Sequence, residues 1–78
     1  MDIGMLWFDN DSKSDLLSKV KQAADYYQNK YGQEPNCCFV HPSMIEEKES
    51  HTGSITVFPN STIIPHHFWI GVQQGSKA

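Results

Sequence analysis

A chain of 78 residues with a net charge of −3 and only two cysteines is sized for one small domain with a thin stability margin. Its basic residues, Lys13, Lys19, Lys21, Lys30, Lys48 and Lys77, include no arginine and form no dense run, so no nucleic-acid partner is expected. Adjacent Cys37 and Cys38 are not a disulfide framework, no signal-peptide pattern opens the chain, and no apolar stretch approaches the roughly 20 residues that span a bilayer; the expectation is a cytoplasmic protein with no membrane partner.

The run 3–8 is apolar and uncharged, which suits a buried strand. Asp9-Asn10-Asp11 breaks it. From 11 to 32 the chain reads as one amphipathic helix: Leu16, Val20, Ala23, Tyr27 and Tyr31 recur at helical spacing, Leu17 and Ala24 widen the stripe, and Ser18, Gln22, Asp25 and Asn29 fall opposite. Asp11, Ser12 or Ser14 can cap its start, and Gly32 followed by Pro35 ends it, giving a helix of about 18 to 20 residues. The segment 37–41 is a second strand, and strand-helix-strand order predicts two parallel strands joined by a right-handed crossover.

Pro42 ends that strand, and a polar, mobile connection follows over 43–49, with room for a helical turn, before a turn at 51–53. Alternation resumes over 54–58, a β-prone run recurs at 62–64, and 66–72 is a last strand with Phe68, Ile70 and Val72 on one face and His67, Trp69 and Gly71 on the other. Gly71 is read as a place of close approach. Residues 73–78 form a polar tail expected to be disordered. The fold class is therefore α+β: one helix on a three- to four-stranded mixed sheet, β-α-β-β(-β), within a single domain over 1–72.

Asp9, Asp11, His41 and His51 are the candidate catalytic residues, a carboxylate and imidazole set expected beyond the carboxyl ends of the parallel strands. The apolar strand with Asp9-Asn10-Asp11 resembles the opening motif of haloacid-dehalogenase-type phosphotransferases over 5–11. That family requires a larger Rossmann-like domain with a later lysine and acidic pair, for which this chain has neither the length nor the residues. A zinc site built from Cys37, Cys38, His41, His66 and His67 is disfavoured, since a terminal hairpin would set His66 and His67 at the sheet edge opposite His41; no metal and no cofactor are expected.

One helix covers one face of a sheet. The other face is then left with apolar side chains in need of cover, for which Phe8, Val40, Phe58 and Trp69 are the candidate interface residues. The resulting expectation is a non-catalytic module that self-associates as a homodimer or docks another protein. The alternative is a minimal enzyme or metal- or ligand-binding domain using Asp9, Asp11 and His41.

Overall fold

The apolar run Ile3–Phe8 forms β1 and the amphipathic stripe forms the helix α1, Leu16–Tyr31, in a computed structural model that describes residues 3–46 and 48–73. There follow β2 (Cys37–Val40), a 3-10 turn (Pro42–Met44), β3 (Ser50–Thr52), β4 (Ile55–Pro59) and β5 (His67–Val72). Asp15, rather than Asp11, Ser12 or Ser14, caps the helix: its carboxylate accepts from the Ser18 N–H at 2.9 Å, and hydrogen bonding by the Ser18 side chain first, and by that N–H second, holds its carboxyl below the usual carboxylate range. The carboxylate of Asp11 is already used by the preceding turn, accepting from the Lys13 N–H at 2.9 Å, so the helix has 16 residues. Gly32 ends it in the left-handed conformation, φ 71°, with its N–H donating to the Gln28 carbonyl at 2.8 Å.

The class is α+β, with one α-helix among the described residues and a five-stranded mixed sheet in the order β1-β5-β2-β4-β3. Two details correct the expected β-α-β-β(-β) arrangement. β1 and β2 run parallel, but β5 lies between them and is antiparallel to both. In this interior place Phe68 and Ile70 are fully buried, and Ile70 faces Met5 on one side and Cys38 on the other. The segment expected as a turn, 51–53, instead supplies His51 and Thr52 to β3, which pairs antiparallel with β4, so the sheet has five strands.

The run 62–64 is not a strand. Asn60 diverts it: its side-chain oxygen accepts from the Thr62 N–H at 2.9 Å and from the Thr62 hydroxyl at 2.6 Å, while its carbonyl accepts from the Ile63 N–H at 3.1 Å. Turn chemistry thus overrides the β propensity of Thr62, Ile63 and Ile64.

The core lies between α1 and one flank of the sheet. Val20, Ala23 and Tyr27 pack there with Cys38, Val40, Val57, Phe68 and Ile70, all without solvent exposure. Asn36 fastens the end of β5: its side-chain oxygen accepts from the Gln73 N–H at 2.8 Å and its amide donates to the Gln73 carbonyl at 3.3 Å, so one side chain imitates a ladder position. The expected tail, apart from Gln73, lies outside the described residues.

Candidate functional site

Period-two alternation places Gly4, Leu6, Phe8, Cys37, Phe39, His51, Thr56, Phe58, His67 and Trp69 on the flank that α1 does not cover. None of these carries a fixed charge. Parallel register sets Phe39 beside Phe58, their rings stacked 5.7 Å apart, and antiparallel register sets Phe39 beside Trp69 at 5.6 Å. Phe8 meets His67 at 5.0 Å. The result is a row of rings across four strands, β4, β2, β5 and β1.

The seat of Trp69 is made by a missing side chain. A β-carbon at Gly4, the cross-strand partner of Gly71, would overlap the indole. At the outer end of the row, Leu6 and Phe8 on β1 are 60% and 57% exposed.

Of the expected interface residues, Phe8, Phe58 and Trp69 stand on this flank. Val40 does not: it is fully buried under α1, and its neighbour Phe39 takes the place expected of it. Leu6 and Phe39 complete the flank; strict alternation from Phe8 identifies the first, and nothing in the unbroken apolar run of β2 identifies the second.

Asp9, Asp11 and His41 follow the carboxyl ends of β1 and β2, but each serves its own turn. Asp9 accepts from the Asp11 N–H at 2.9 Å and pairs at 3.9 Å with the buried Lys19 ammonium, tying the exit of β1 to α1. The His41 ring nitrogen Nδ1 accepts from the Ser43 N–H at 3.1 Å and lies 2.8 Å from the Ser43 hydroxyl, capping the 3-10 turn. β5 separates the strands carrying Asp9 and His41, a spacing of about 10 Å. His51 is on β3, at the far side of the sheet from Asp9, where it bonds Glu49 at 3.1 Å and Thr56 at 3.3 Å.

His66 and His67 enter β5 at the same edge as Asp9 and His41, because β4 runs parallel to β2 and delivers the chain there; the opposite-edge expectation is corrected. His66 has φ 69°, forced by the tight turn whose His67 N–H donates to the Ile64 carbonyl at 3.0 Å. Proximity does not make a chelate, for no group of three or more His, Cys, Asp or Glu among the described residues can hold a metal ion.

A cleft of about 220 Å³ opens between α1 and the β3–β4 turn, lined by residues including Lys21, Asp25, Glu34 and Ser54. It holds none of the four candidate catalytic residues, and it is smaller than the roughly 300 Å³ at which small-molecule sites begin. No helix among the described residues is long and apolar enough to cross a membrane. No family model, curated protein or solved structure matches the chain.

Proposed function

We propose that this is a non-catalytic protein-binding module whose contact surface includes the β1 end of the open flank of the sheet, at Leu6 and Phe8, and whose partner is a second copy of the chain. The observation that carries this reading is the exposure of Leu6 and Phe8, more than half in water at the outer end of an uncharged flank. Apolar side chains gathered on one flank, beside a core already satisfied on the other, are stabilised by cover from outside. The polar residues that a catalytic reading needs are engaged in caps and turns instead.

Sedimentation of the full chain tests the reading. Wild type is expected to be dimeric at micromolar concentration, and the double variant Leu6→Lys, Phe8→Lys, which changes two exposed positions, is expected to be a folded monomer. A double variant that associates as wild type does would overturn the assignment of the flank.

A further inference from the structure

We propose that two copies pair along β1, edge to edge and antiparallel, so that their sheets join into one; this rests on the reading that a second copy is the partner, and adds where it meets. The sheet has two outer strands, and they differ. β3 is three polar residues, Ser50-His51-Thr52, a short edge of the kind natural sheets leave open. β1 is six residues with no charge and no proline, and nothing in its sequence blunts it.

One contact orients the β1 backbone. The Asp9 N–H donates to the His66 carbonyl at 3.0 Å, in the register that pairs Phe8 with His67. Hydrogen-bonded positions alternate along an antiparallel ladder, so Met5 and Trp7 direct their N–H and C=O groups to β5. Gly4, Leu6 and Phe8 direct theirs outward, where no described strand lies. Extended backbone is the chemistry that satisfies such a row.

The strand is also short of cover on both flanks. Leu6 and Phe8 are the large apolar strand residues that remain exposed on the open side. On the helix side Trp7 is only half-buried, and Tyr26, 48% exposed, lies 5.2 Å from its ring. The indole N–H of Trp7 is buried without a hydrogen-bond partner among the described residues.

A second β1 fits this edge by symmetry. A two-fold axis at Leu6 sets Leu6 against Leu6 and Gly4 against Phe8 of the second copy, and no like charges meet because β1 has none. Phe8 of the second copy then comes beside the indole that already covers Gly4. Leu6, Phe8 and Tyr26 together offer roughly 300 Å² of side chain, short of the roughly 800 Å² per partner of a standard interface, so the pairing is concentration-dependent rather than permanent.

Sedimentation equilibrium and amide hydrogen exchange on the full chain test this against the flat of the sheet. Leu6→Pro removes an outward donor and leaves the β1–β5 bonds intact, whereas Phe58→Lys charges the flank two strands beyond β5. The expected result is a monomeric Leu6→Pro with unchanged circular dichroism, a dimeric Phe58→Lys, and wild-type Leu6 and Phe8 amides that exchange at least about tenfold more slowly as concentration rises. A wild type that stays monomeric, or a Leu6→Pro that stays dimeric, overturns the proposal. Monomers from Phe58→Lys with Leu6→Pro still dimeric also overturn it, and leave standing the reading that a second copy is the partner. Should Leu6→Pro lose its fold, fast and concentration-independent exchange at Leu6 and Phe8 in a dimeric wild type overturns the proposal by itself.

Discussion

The two flanks of one sheet carry similar apolar residue types and have opposite fates. Under α1, Cys38, Val40, Val57, Phe68 and Ile70 are closed off from water completely, in one core cluster with the helix residues Val20, Ala23 and Tyr27. On the other flank Phe39, Phe58 and Trp69 are only half-buried, and their cover comes from each other. The lesson is that alternation alone makes a strand amphipathic only if one of its two sets is polar; in β1 and β2 both sets are apolar, and the helix decides which of them becomes core.

The contrast can be broken most forcefully from the covered side. Phe68→Ala should cost about 3 to 5 kcal/mol, enough in a domain this small to abolish cooperative unfolding in urea. If Phe58→Ala costs as much, the flanks are not distinct. Next in size is an effect of alkaline pH that acts through Cys38 on the covered flank. Burial, with the charge of Cys37 as a second cause, pushes the Cys38 thiol up to about 12.

An unfolded thiol ionises near pH 9 while folded Cys38 keeps its proton, so stability is full below pH 9 and falls as pH rises toward 12. At roughly 1.4 kcal/mol per pH unit the loss is about 2 kcal/mol by pH 10.5. Tyr27, its hydroxyl also raised, first by burial and then by Tyr31 and Cys37, steepens the fall at the alkaline end. Urea melts at pH 8 and pH 10.5 check this, and Cys38→Ala should flatten the dependence.

Smaller again is Gly4→Ala, expected to cost about 1 to 3 kcal/mol by displacing the Trp69 indole, and to shift tryptophan emission. Least of all, Leu6→Lys should change monomer stability by no more than about 0.5 kcal/mol, because its side chain is already in water. A large loss there would mean that Leu6 supports its own protomer rather than a partner.

What was legible in the chain was what local chemistry decides. The helix stripe, the left-handed Gly32 and the faces of β5 follow from spacing and from single residues. The placing of β5 between β1 and β2 was not legible, because pairing between strands far apart in sequence leaves no local mark. β2 reads Cys-Cys-Phe-Val with no polar residue to show which side faces out, so Val40 was expected where Phe39 stands. Asp9, Asp11 and His41 follow the carboxyl ends of β1 and β2, but the capping bonds of His41 and the Lys19 partner of Asp9 emerge only from the folded turns.

Sedimentation equilibrium of wild type beside Leu6→Lys, Phe8→Lys addresses the open flank most directly. A wild-type dimer in the micromolar range with a folded, monomeric double variant is the outcome this account predicts. Identical masses for the two chains at every concentration would contradict it.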